Sequence, residues 1–189
     1  QLRGDRDLSK VPNLIDKKDD EVKVNRPFAK EELNALPTPD FDGLPLDLYL
    51  SPERVLPVMG SRGCYWEQCA FCSIPFDHMT FHVRYAENVV NDFKTLQEKY
   101  NCNNFFFTDE ALPINFLRTF AAKIIEQKVD VQWTGELKFE KSLLKDDRMD
   151  LLYKSGCRKL IFGLESYNQR VLDSMKKGVE LSWVDETAE

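Results

Sequence analysis

Three of the five cysteines, Cys64, Cys69 and Cys72, stand on one short stretch in a C-x4-C-x2-C arrangement, with Gly60 and Gly63 just before it. Three clustered thiols cannot all pair as disulfides, since one is always left over. A structural zinc site takes four protein ligands, and iron–sulfur clusters usually take four cysteines. Three thiolates with no fourth nearby therefore point to a cluster or ion with one coordination position left open. An open position is where a reagent can bind and react. Zinc completed by His78 or His82, as a Cys3His set, is a second use of the same residues.

The elements around the stretch place further chemistry beside it. Val55 to Met59 is a short apolar run leading into the cysteine loop, read as a first strand although Pro57 disfavours one. Apolar residues at 86, 89, 90, 93, 96 and 100 follow the 3.6-residue period of a helix. Residues 104–108 read as a buried strand. Pro113 suits a first helical turn, and Phe116, Leu117, Phe120, Ala121, Ile124 and Ile125 form the apolar face behind it. A third strand is expected over 129–134, a helix over 143–154 ended by Gly156, and a fourth strand over 159–163. Ser166 and Gln169 have capping-box spacing, opening a helix through Met175, with Gly178 beyond its end.

Strand and helix thus alternate four times, which means parallel strands covered by helices, an α/β fold. A barrel, a part-barrel and an open sheet all satisfy the alternation. In any of them the reactive end is the carboxyl end of the strands. The cysteine stretch follows strand one, Asp109 and Glu110 follow strand two, Glu136 and Lys138 follow strand three, and Glu165 and Ser166 follow strand four. Asp109 and Glu110 also suit a helix amino terminus, where an acid complements the dipole, and Ser166 suits an N-cap. Cys102 and Cys157 precede strands two and four, the wrong ends for the site, and read as small buried apolar residues.

Composition narrows the class. Among 189 residues, 42% are hydrophobic and 31% charged, enough for one core-forming domain. No apolar run approaches the length of a membrane span, and the polar start from Arg3 to Asp7 is no signal peptide. The net charge of −6, without a long basic run, argues against nucleic acid as the main partner. An odd, clustered set of cysteines suits the reducing cytoplasm. Residues 1–50 read as a linker and approach segment, or the end of an upstream domain. They carry little periodicity, a mixed charge run at 16–21, and prolines at 37, 39 and 45, with more at 52 and 57. The first residue is Gln, and the expectation is a piece of a longer chain.

The stretch SRGCYWEQCAFCSIP at 61–75 resembles the cluster loop of the radical S-adenosylmethionine (radical SAM) enzymes, in the branch often fused to a cobalamin-binding domain. The commonest spacing of that superfamily is C-x3-C-x2-C; the branch shares the longer first gap and the Tyr-Trp after the first cysteine. The stretch GCRKLIFGLESYNQRVLDSMKKG at 156–178 is similar to the family's fourth-strand motif. The resemblance implies a partial TIM-type (βα)6 barrel, of which 51–189 is the amino-terminal part, ending after about four βα units. It implies a 4Fe–4S cluster on Cys64, Cys69 and Cys72, with S-adenosylmethionine on the open iron. It implies reductive cleavage to a 5′-deoxyadenosyl radical, for hydrogen abstraction or cobalamin-assisted methylation of an unknown small-molecule or peptide substrate. Cobalamin would come with an upstream domain outside these residues, and the electron from a donor such as flavodoxin or ferredoxin.

By the same resemblance, Phe71 packs beside the adenine, and Glu165 and Glu136 meet the ligand. Asp109, with Glu110 beside it, takes the place of the family's Gly-Gly-Glu at the methionine amine. Lys138 stands where relatives often carry Arg and cannot make the same bidentate fork. Two other classes use the same cysteines: a zinc-stabilised binding module without catalysis, and an iron–sulfur electron-transfer protein.

Overall fold

The structure is a computed structural model and describes residues 8–12, 14–25, 32–74, 80–145 and 147–188. The chain divides into two compact units, residues 1–35 and residues 36–189. The first unit holds a hairpin of strands β1 (Ile15–Lys18) and β2 (Glu21–Val24). Asp19 and Asp20 both have positive φ, 50° and 65°, as a two-residue hairpin turn demands. The sequence reads this region as aperiodic because both strands are too polar to show a buried face.

The second unit is built on four parallel strands in sequential order: β3 (Val55–Val58), β6 (Asn104–Phe107), β7 (Gln132–Leu137) and β8 (Cys157–Phe162). Helices α1 (Ala86–Tyr100), α2 (Ile114–Glu126) and α3 (Arg148–Lys154) connect them, and α4 (Gln169–Ser174) and α5 (Leu181–Ala188) follow. These are the four βα units expected of the part-barrel. Strand β7 runs later than its expected 129–134, because Val129 to Val131 still belong to the turn off α2. Glu136 consequently lies inside a strand rather than after it. The helix expected from 143 is shorter and begins at Arg148, after a turn of 3-10 helix at Lys141–Leu144. The expected N-cap at Ser166 also moves: Asn168 caps α4, its side chain accepting from the Val171 N–H at 3.3 Å.

Alternate strand residues Leu56, Val58, Phe105, Phe107, Trp133 and Leu137 are buried together with the apolar faces of α1 and α2. Aromatic rings dominate this layer. Phe93 stacks on Phe105 at 4.3 Å, and Phe120 meets Phe107 at 5.3 Å and Trp133 at 5.7 Å, edge to face. The opposite face, with Pro57, Phe106, Thr134 and Lys159 in register, is half-buried to exposed. A packed layer behind and an accessible face in front hold the strand ends rigid while leaving their carboxyl end approachable.

Candidate active site

The cysteine stretch leaves β3 and is clasped at its base. Strand β4 (Ser61–Arg62) pairs antiparallel with β5 (His82–Val83), so the intervening residues form a closed loop. Asp109, just past β6, sits under this clasp and is 2% exposed. Its carboxylate accepts from the Gly60 N–H at 3.0 Å, from the Ser61 hydroxyl at 2.6 Å and from the Ser61 N–H. Gly60 has no room for a side chain, since a Cβ would lie 2.8 Å from the Phe116 ring. A second buried group ties the other strand of the clasp. Arg84 donates to the Met59 carbonyl at 3.1 Å and pairs with Asp92 of α1 at 2.7 Å. Asp92 also accepts from the Thr38 hydroxyl at 2.6 Å.

The tip of the loop is anchored across the sheet. Trp66 donates its indole N–H to the Lys176 carbonyl at 2.9 Å, and the Ala70 N–H donates to the Met175 carbonyl at 2.9 Å. Lys138, directly after β7, sets its ammonium 4.1 Å from the centre of the Trp66 ring and donates to the Gly178 carbonyl at 2.6 Å. Gly178 has φ +61°, and a Cβ there would come within 2.1 Å of the same ring. Tyr65 donates to Glu140 at 2.5 Å. The loop therefore begins at β3 and rests on the segment that follows α4.

Between these anchors Cys64, Cys69 and Cys72 are free thiols of intermediate exposure. Burial pushes the Cys69 thiol up, the Lys177 ammonium pulls it down, Cys64 and Cys72 push it further up, and Lys138 pulls it down. The three sulfurs and two lysines thus share one electrostatic neighbourhood. Among the described residues, no three His, Cys, Asp or Glu side chains converge on a point as they would for one bare ion. A tetrahedral zinc would need sulfurs only about 3.8 Å apart, from Zn–S bonds of ~2.3 Å. A four-iron cluster takes each sulfur on a different iron, and three soft thiolates with cations at hand suit it. Of the two histidines, His82 is in β5, and His78 lies outside the described residues. Cys102 and Cys157 are buried, at the far ends of β6 and β8, and burial raises both thiols, Cys157 to about 11.

The carboxylates divide by environment. Glu110 is exposed beside Asp109, and Glu136 is half-buried in β7. Glu165 has φ +68° and pairs with Lys177 at 2.9 Å. Phe71 is 54% exposed, with the Lys177 ammonium 5.5 Å from its ring centre. Lys177, itself buried, therefore joins two exposed side chains, Phe71 and Glu165, beside the cysteines. Asp109 differs, because its oxygens already serve the loop backbone. A cavity of about 550 Å³ lined by Phe41, Leu46, Tyr49 and Arg54 lies by the starts of the strands, the end away from the cysteines. The anchors Trp66, Arg84 and Asp92 carry no periodic signal.

Burial pushes Asp109 up to about 6 from 3.8, against the pull of its three donors. The folded value lies above the unfolded one. This site's contribution to stability is therefore complete below about pH 4 and is lost as pH rises toward about 6, a change of about 3 kcal/mol. An Asp109→Asn protein is expected to show a flatter urea-stability profile over that interval than the parent. Parallel profiles would sink the assignment.

The model of the Radical SAM superfamily matches residues 58–189. An uncharacterised methyltransferase of Pyrococcus horikoshii is 27% identical over 188 residues, covering 94% of this chain and 39% of that protein. The bacteriochlorophyllide d C-12(1)-methyltransferase of Chlorobaculum tepidum is 27% identical over 128 residues, covering 66% of this chain and 28% of that protein. The apo, selenomethionine-labelled cobalamin-dependent S-adenosylmethionine radical enzyme OxsB superposes with a TM-score of 0.69 at 19% identity, over 93% of this chain and 27% of that one. The chain spans well under half the length of each.

Proposed function

This chain belongs to the radical SAM superfamily, and from that premise we propose that it is the amino-terminal part of the catalytic barrel of a radical SAM enzyme. The observation that carries this reading is a loop of three free, accessible cysteines at the carboxyl ends of parallel strands, anchored at both base and tip. Cys64, Cys69 and Cys72 would hold three irons of a 4Fe–4S cluster, leaving the fourth for S-adenosylmethionine. Bound there, the pair supplies the reductive cleavage that yields a 5′-deoxyadenosyl radical. The exposed Phe71 ring offers a stacking face for the adenine. Asp109 is engaged by the loop, so Glu110 and Glu136 are the carboxylates at hand for the cationic amine. Glu165 meets the ligand while paired with Lys177.

Methyl transfer is the outcome we favour. Both curated relatives are named methyltransferases, and the solved structure with the same fold is a cobalamin-dependent radical enzyme. Cobalamin would then be bound by an upstream domain. The substrate is a small molecule or peptide outside nucleic acids, the electron donor a flavodoxin or ferredoxin, and the compartment the reducing cytoplasm. Among the described residues, no helix is long and apolar enough to cross a membrane.

Anaerobic reconstitution with iron and sulfide, followed by electron paramagnetic resonance of the dithionite-reduced protein, tests the reading. The expected result is a reduced 4Fe–4S signal that changes on adding S-adenosylmethionine and is lost in Cys69→Ala. A signal blind to the ligand would favour electron transfer instead. Tight zinc with no cluster would leave the non-catalytic module.

A further inference from the structure

Lys138 occupies an unusual place for a lysine. It is 7% exposed, and its hydrogen bonds go to two carbonyls, Gly178 at 2.6 Å and Phe139 at 3.5 Å. No carboxylate lies within ion-pair distance of it among the described residues, whereas the neighbouring Lys177 is matched by Glu165 at 2.9 Å. Its third contact is the π face of Trp66, a residue of the cysteine loop itself. Desolvation draws its pKa down, Glu140 and Cys69 draw it back up, the Lys177 ammonium lowers it again and Cys64 raises it. A buried ammonium kept without an ion pair costs stability, so its position calls for a return elsewhere.

Two returns are visible in the geometry. The first is mechanical. The ammonium joins the Trp66 ring to the Gly178 carbonyl, locking the loop's tip against the segment after α4, and a cation–π contact strengthens when it is desolvated. The second is electrostatic. An uncompensated positive charge in a low-dielectric pocket favours added electrons on sulfur-bound iron nearby.

We propose that Lys138 is a positioning residue, which seats the cysteine loop through Trp66 and whose charge makes the cluster bound by that loop easier to reduce. The electrostatic half rests on the cluster reading above; the mechanical half does not. No loss or gain of bonds is involved: one electron enters the cluster from an external reductant such as dithionite, and Lys138 stays protonated throughout.

The test uses the full chain with Lys138→Met, which keeps the stem but loses the charge, and Lys138→Arg, which keeps the charge. In the reconstituted proteins, the cluster's midpoint potential is measured by redox titration with paramagnetic resonance. The expected result is a more negative potential in Lys138→Met and a potential near the parent's in Lys138→Arg. Equal potentials in the parent and Lys138→Met would overturn the electrostatic half, as would an Arg variant displaced as far as the Met variant.

In the iron-free chain, acrylamide quenching of Trp66 is isolated by difference against Trp66→Phe. It should rise severalfold in Lys138→Met and stay near the parent's in Lys138→Arg. Unchanged quenching in Lys138→Met overturns the mechanical half, and this readout still decides it if that variant takes up no iron. A parent protein that assembles no 4Fe–4S cluster would instead defeat the proposed function, a separate failure.

Discussion

Asp92→Ala is expected to lose about 4 kcal/mol of stability, within the range of 3–5 for stranding one partner of a buried ion pair. The side chains of Arg84 and Asp92 are 4% and 5% exposed, so the stranded guanidinium has no water to turn to. Its Nε already lacks a hydrogen-bond partner among the described residues, which leaves the group little slack. For a chain of this size the loss corresponds to a fall in melting temperature on the order of 10 °C. Replacing both partners together, Arg84→Met with Asp92→Leu, should recover most of it, because the desolvated charge disappears with its counter-ion. Thermal unfolding of the two proteins beside the parent decides the matter. A single variant within about 1 kcal/mol of the parent would mean that the pair is solvated in solution. The effect should also reach the cysteines, since Arg84 holds the Met59 carbonyl and its own N–H donates to the Gly60 carbonyl at 2.8 Å.

Gly156→Ala is the second large effect. Gly156 turns the chain from α3 into β8 with φ +96°, and a Cβ there would stand 1.9 Å from the Val131 carbonyl oxygen. The obstruction is backbone, beside Trp133, whose N–H donates to the Gly156 carbonyl at 2.9 Å. Relief requires moving β7 or β8. The left-handed conformation costs about 1–2 kcal/mol for an L residue, and the overlap adds about 1–3 more. A loss of about 4 kcal/mol is expected, read as a lower urea midpoint with unchanged slope. A midpoint equal to the parent's would show that the turn can relax. Gly178 offers the contrast. A Cβ there meets a side chain, Trp66, which can swing away, so Gly178→Ala should unseat the loop while sparing the sheet.

The repeating pattern of strands and helices was legible because each element advertises its buried face within about 15 residues, by a period of 2 or 3.6. Boundaries were less so. Strand β7 starts later than its apolar run, since Val129 and Val131 pack in the turn off α2. The three cysteines and the acids past the strands were found from residue type and from the rule that parallel sheets react at their carboxyl ends. The hydrogen-bond partners of Asp109 could not be found that way. Its partners are 48 and 49 residues away, and a carboxylate that holds backbone N–H groups looks, in sequence, like one that awaits a ligand. Trp66 and Gly178 were equally hidden, one read as a neighbour of cysteines and the other as a helix stop. The Ser166 cap failed for a local reason: Glu165 turns left-handed, and Asn168 is the next side chain able to reach the first turn of α4.

The bond from Trp66 to Lys176 spans 110 positions of chain. On a ribosome, the cysteines are therefore made long before the residues that seat their loop. At about 5–20 residues per second, the delay is on the order of ten seconds. During that interval Cys64, Cys69 and Cys72 are exposed on a loop with a base but no rest for its tip, open to oxidation or to the wrong metal. Iron delivery timed to follow the synthesis of Gly178 would meet a finished receptacle, and delivery before it an open strap.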